Sequence, residues 1–293
     1  MKNIYILPIL IFFTFCSNIK QKDSVFVSIL PQKFFVEKIA GNQINVNVMV
    51  GNGMSPETYE PLPQQMAALA KSKIYFSIGV PFEDSWLEKI KKNNPGVRFV
   101  NTAGGIQKLP MEAEAEIFSE SSGEHSHEGT LDPHIWLDPK LVKTQAETIE
   151  KALSEIFPEK AELFRQNYLS FVSELDSADS YIRSEITKSG VKEFLVFHPS
   201  WGYFAKEYGI RQIPVEIEGK EPGLRELGKI IDFVKKEKIN TIFVQKQFST
   251  KSAEAISRET AVAVVQIDPL SEDYINNLKT TADLLCGTSK GEK

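Results

Sequence analysis

Four side chains stand where parallel α/β proteins do their chemistry: Glu57, His134, His198 and Asp268. Glu57 lies in GNGMSPETYEPLP, shortly after the strand-like run Val46–Val50, and His134 lies in LDPHIWLDP. His198 ends the run FLVFH, and Asp268 ends VAVVQID. In open parallel sheets, ligands bind beyond the carboxyl ends of the strands. If two such sheets face each other, these four side chains converge, and two imidazoles with two carboxylates form a donor set for a divalent metal ion. Pro56, Pro133, Pro199 and Pro269 adjoin the four, and the fixed φ of proline stiffens turns that carry donors. Taken singly, each residue also fits a plain role. A His after a strand serves as a hydrogen-bonded structural residue, Asp-Pro serves as a turn, and Glu57 serves as a loop acid. The metal reading gains from position, because two of the four histidines in the chain fall at matching points of two similar arrays.

Those arrays are what must position the four. The first alternates strand-like runs Val25–Leu30, Val46–Val50, Ile74–Ile78 and Arg98–Val100 with helical patterns Gln32–Ala40, Pro63–Lys71 and Phe82–Asn93. The second alternates Phe194–Phe197, Ile213–Ile217, Thr241–Val244 and Ala263–Ile267 with Trp201–Tyr208, Gly223–Lys236 and Thr250–Glu259. Short β-rich runs alternating with longer amphipathic ones predict parallel sheets covered by helices, an α/β class. Between the arrays, Phe164, Tyr168, Phe171, Leu175, Ala178 and Ile182 recur at steps of four and three, which is one apolar stripe on a helix. Pro158 suits its start and Gly190 its stop. At 1.5 Å per residue, a helix over Pro158–Lys188 is on the order of 45 Å long and would act as a strut joining both lobes. The organisation predicted is a lobe over 25–157, the strut over 158–190 and a second lobe over 191–293. A polar segment, 111–130, reads as a loop in the first lobe and carries His125 and His127.

The balance of charge is 34 Lys+Arg against 39 Asp+Glu, a net of −5. That sign argues against a nucleic-acid partner, which demands a basic face. The two cysteines, Cys16 and Cys286, are too few for a disulfide framework or a cysteine zinc cluster. The apolar run from Ile4 to Phe15 is too short to span a bilayer as a helix and fits the core of an export signal. Cys16 sits where it stops, as in a bacterial lipoprotein signal, although Phe15 replaces the usual small residue before the cysteine. This predicts an exported, monomeric protein held at a membrane only by a lipid on Cys16, with residues 17–24 as a tether. An ordinary signal peptide with a chance cysteine is the plainer alternative. Cys286 then reads as an apolar filler of the last helix.

The segments SILPQKFFVEKIAG, SPETYEPLPQQM, DPHIWLDP, FHPSWGYFAKEYGI, EIEGKEP, FVQKQFSTKSAEAI and IDPL occur in this order. With them the chain, from about Val25 to Leu285, resembles the substrate-binding proteins of zinc and manganese ABC importers, the TroA-like or cluster A-I receptors. The resemblance implies two lobes joined by a long rigid helix, one metal ion in the cleft, and an ABC import permease as partner. His134, His198 and Asp268 fall on ligand positions of that family. Glu57 stands where the family usually has His; it either joins the shell or leaves its place to water or another group. Glu60, nearby, is a loop acid in the family pattern. His125 and His127 lie where many zinc receptors carry a longer His-rich insert. His198 in place of a Glu common in manganese-type receptors implies zinc (Zn2+) as the transported ligand, with manganese (Mn2+) the alternative. Two other classes remain open on the residues: a secreted metallohydrolase, for which no HExxH-like motif is present, and a surface adhesin.

Overall fold

A computed structural model describes residues 23–111, 131–216, 220–248 and 250–289. The expectations for Cys16, His125 and His127 lie outside the described residues.

The first array folds as β1 (Ser24–Ile29), α1 (Leu30–Ala40), β2 (Asn45–Val50), α2 (Pro63–Leu69), β3 (Ile74–Ser77), α3 (Pro81–Asn93) and β4 (Arg98–Asn101). The second folds as β5 (Glu193–Val196), α6 (Gly202–Tyr208), β6 (Arg211–Pro214), α7 (Leu224–Lys236), β7 (Thr241–Val244), α8 (Lys251–Thr260) and β8 (Ala263–Gln266). Between them lie α4 (Pro139–Ile156) and α5 (Ala161–Ser189), and α9 (Tyr274–Ser289) is the last described element. Each array forms a four-stranded parallel sheet, in the orders β2-β1-β3-β4 and β6-β5-β7-β8. The two orders are the same pattern repeated, so equivalent strand ends stand at equivalent places. The α/β class with two parallel sheets and a linking helix is therefore the observed fold.

Two local differences from the sequence reading have physical causes. The run expected over Ile213–Ile217 forms a strand only over Arg211–Pro214. Pro214 has no N–H for the ladder and is tolerated because β6 is an edge strand. Beyond it Val215 N still donates to Val196 O at 2.8 Å and Glu216 N to Phe197 O at 3.0 Å, and Glu216 is 3% exposed. The second difference is α4, a helix of 18 residues absent from the sequence reading. Its signals are nonetheless in the sequence. Asp138 caps it by accepting from Lys140 N at 2.7 Å, and Pro139 opens it. Val142, Ala146, Ile149 and Leu153 then recur on one buried face.

The strut is α5, 29 residues long and preceded by a 3-10 turn over Pro158–Lys160. It ends at Gly190, whose φ of 72° is the left-handed stop that glycine adopts without strain. Of its stripe, Phe164, Phe171, Leu175, Ala178 and Ile182 are fully buried and Tyr168 is half-buried. It packs against α1, α4 and α9. Phe171 and Tyr274 both meet Phe35 of α1, with ring centroids 5.8 and 4.8 Å apart. The first sheet, the strut, α6 and α9 thus share one core, Cys286 included. A second, smaller core of Leu195, Phe197, Ile213, Ile230, Val234 and Ile242 lies around the second sheet. Among the described residues no helix is long and apolar enough to cross a membrane.

Candidate metal centre

His134 is placed by the turn that precedes α4. Asp132 Oδ1 accepts from the backbone N of His134 at 2.9 Å and sits 2.7 Å from its ring Nδ1. One carboxylate thus fixes both the turn and the imidazole. Tyr203 of α6 reaches across from the second array. Its hydroxyl donates to the Asp132 carbonyl and accepts from Leu109 N, each at 2.9 Å. Burial pushes that phenol up to about 12, so it keeps its proton. Gly202 is needed beside it, since a Cβ there would lie 2.9 Å from Asp132 Oδ2.

His198 follows β5 and is 3% exposed. Its backbone is pinned by Gln245, which accepts from His198 N at 3.2 Å and donates to His198 O at 2.6 Å. Its Nδ1 lies 2.7 Å from Glu216 Oε1, and its ring stacks on Phe248 at 4.5 Å with 19° between the planes. In both histidines a buried carboxylate engages Nδ1. That arrangement sets the tautomer that leaves the Nε2 lone pair free to bind a cation.

The two rings approach edge to face, centroids 5.3 Å apart. Glu57, on the loop after β2, completes the group: its Oε1 is 3.1 Å from His198 Nε2. Two donors each ~2.0–2.1 Å from a tetrahedral ion lie about 3.3 Å apart, so this pair already has nearly the spacing of two ligands. Glu57, His134 and His198 line one small cavity of about 20 Å³ together with Trp136, Gln247 and Phe248. A larger cavity of about 140 Å³ shares Glu57, His134 and Trp136 and adds Asp84, Met111 and Leu131.

Asp268 is placed differently. It stands just before Pro269 and Leu270, which line the small cavity, but its own carboxylate is held elsewhere. Oδ1 accepts from Gln247 Nε2 at 3.2 Å and from Leu270 N at 3.0 Å, while Oδ2 lies 3.3 Å from Lys246 Nζ. Of the four predicted site residues, the fold therefore gathers three around one cavity and leaves the fourth at its rim, paired with a lysine. Among the described residues no three acidic, His or Cys side chains form a ready-made metal cluster.

The sequence reading did not single out Asp132, Glu216, Gln247, Phe248 or Tyr203. Asp132 was within reach, because an Asp two residues before a His is a local hydrogen-bonding pattern. Glu216 was not, because it meets His198 only through the pairing of β5 with β6.

The family described as zinc-uptake complex component A, periplasmic, or ZnuA, has a model that matches residues 25–286. The chain belongs to this family. The resemblance carried by the ordered motifs is thereby borne out. Similar solved structures are a crystal structure of ZnuA and one of a ZnuA deletion mutant with zinc bound. The first is 40% identical with a TM-score of 0.84, covering 92% of this chain and 100% of that one. The second is 39% identical with a TM-score of 0.83, covering 93% and 100%. The zinc-binding lipoprotein AdcA of Streptococcus pneumoniae is 28% identical over 96% of this chain. The chain spans 59% of the length of that relative. The ZnuA family is one of metal-binding transport receptors.

Proposed function

We propose that the protein is a non-catalytic extracytoplasmic receptor that captures Zn2+ in the cleft and delivers it to an ABC import permease. The ligands are Glu57, His134, His198 and, after a side-chain rearrangement, Asp268. The lobes are 25–157 and 191–293, with 158–190 as the strut between them. The observation that carries this reading is the pair of imidazoles from opposite lobes, 5.3 Å apart, each with Nδ1 engaged by its own buried carboxylate. Four protein donors leave no open position for a reactive water, which separates the site from a catalytic zinc centre. Imidazole nitrogen and the intrinsic affinity order both favour zinc over manganese. The lobes are tied by buried bonds. Trp136 Nε1 donates to Pro269 O and Tyr274 donates to Trp136 O, each at 2.7 Å. Release therefore proceeds by loop motion and small lobe movements, not by wide hinge opening. Export and a lipid on Cys16 are part of the same proposal, motivated by the apolar run that ends at Cys16 and supported by the name of the pneumococcal relative, a zinc-binding lipoprotein.

The test is thermal unfolding with added Zn2+ or Mn2+. The wild type should melt higher with zinc, since a ligand at one hundred times its Kd adds ~2.7 kcal/mol to the folded state. The double variant His134→Ala with His198→Ala should fold and lose that rise. An undiminished rise in the double variant would remove the site from consideration. Displacement of zinc by equal manganese in calorimetric competition would make the cargo manganese.

A further inference from the structure

The segment that follows β7, Gln245-Lys246-Gln247, touches the metal-site residues of the second array one after another. Gln245 pins the backbone of His198 from both sides. Gln247 lines the small cavity and donates to Asp268 Oδ1. Lys246, between them, places its ammonium 3.3 Å from Asp268 Oδ2. The remaining oxygen of Asp268 is thus occupied by a cation that belongs to the protein. The side chain of Asp268 is 14% exposed and that of Lys246 is 48% exposed. The carboxylate is therefore sheltered, while the ammonium has an open path to water on a flexible four-carbon stem.

We propose that Lys246 is a built-in competitor of the cargo. Its ammonium neutralises Asp268 in the metal-free protein. An incoming divalent ion takes Asp268 Oδ2 in its place and sends the ammonium into solvent. The exchange breaks one ion pair for each ion bound, so it weakens the net affinity and eases release of the cargo. Lys246 is a positioning residue in this scheme and not a ligand. The inference rests on the receptor reading above and adds to it how the fourth ligand is held in reserve.

The test is zinc affinity of the full mature chain, measured by competition with a chromophoric chelator. A partly exposed ion pair is worth ~0.2–1 kcal/mol, so Lys246→Met should bind zinc up to about fivefold tighter than wild type. Lys246→Arg, which keeps the charge, should bind as wild type does. The gain must vanish in an Asp268→Asn background, because the competitor then has nothing to compete for. Unchanged or weaker binding in Lys246→Met overturns the proposal. So does the same gain with Asn at 268, which would mean plain charge repulsion. Failure of the wild type to bind zinc would instead overturn the receptor reading itself. Half exposure of Lys246 means that its variants keep the fold, which a melting curve without metal checks.

Discussion

The two lobes present the same imidazole in the same way, but they build the support from different distances. In the first lobe the acid that engages His134 is two residues away, in the same turn. In the second, the acid that engages His198 is 18 residues away and comes from another strand end. The Nδ1 contact is 2.7 Å in both. The local device also holds backbone, because Asp132 accepts from His134 N, whereas backbone support for His198 falls to a third residue, Gln245. One lobe combines two jobs in one carboxylate, and the other divides them. The carboxylates expected to join the imidazoles differ as well. Glu57 from the first lobe already touches the opposing His198, while Asp268 from the second is engaged by Lys246. In the proposed site each imidazole is thus held by its own buried carboxylate, while Glu57 and Asp268 differ in what occupies them.

The largest effect should come from the side chain that reaches from the first lobe to His198 Nε2. Glu57→Ala removes an anionic donor and the only described contact from the first lobe to His198 Nε2. Zinc affinity in this variant should fall further than in any variant that only loosens an imidazole. Isothermal titration against a competing chelator measures it. If the affinity is unchanged, Glu57 is not a ligand and water or another group takes its place.

The next effect separates the two supports. Asp132→Ala and Glu216→Ala should each weaken zinc binding by ~10–100-fold, the usual result of removing the partner of a metal-bound imidazole. Their effects on folding should differ. Asp132→Ala strands two buried donors, His134 N and Nδ1, whereas Glu216→Ala strands one; each buried donor left unpaired costs ~1–3 kcal/mol. Asp132→Ala should therefore have the lower Tm in the absence of metal, and Glu216→Gln should recover part of the affinity lost by Glu216→Ala. Equal Tm values would show that the local device does not hold the turn.

The same contrast explains what could be read from the sequence. Periodicity exposed both sheets and the strut, because alternating runs and a four-three stripe are local patterns. The helix α4 was missed although Asp138, Pro139 and the spacing from Val142 to Leu153 announce it. Glu57, His134 and His198 were legible as donors because they follow strands or Pro-bounded turns. Glu216 could not be assigned to His198, since that meeting depends on the register of β5 against β6, Val196 opposite Pro214. The occupation of Asp268 by Lys246 was equally hidden, being a side-chain choice across two loops.

The smallest effect on zinc affinity concerns the second acid of that same turn. Asp132 and Asp138 both precede proline in LDPHIWLDP, yet one serves an imidazole and the other caps α4. Burial pushes the Asp138 carboxyl up to about 6. The bond from Lys140 N opposes this, and repulsion from Glu207 adds to it. A folded-state value above the unfolded 3.8 means that the native protein binds this proton more tightly than the unfolded chain. The contribution of Asp138 to stability is thus greatest below about 4, declines as pH rises towards about 6 and is level above. A shift of about two units corresponds to roughly 3 kcal/mol. Asp138→Asn keeps an oxygen to cap Lys140 N and carries no proton to lose. Denaturant unfolding of the metal-free protein between about pH 4 and 7 should show a flatter profile for the variant than for wild type. Zinc affinity near pH 7 should stay within about twofold of wild type, because Asp138 has no contact with either imidazole among the described residues. Parallel pH profiles would show that burial of Asp138 is relieved in solution. A large loss of zinc affinity would show instead that the cap of α4 sets the position of His134, and the division between the two acids would then fail.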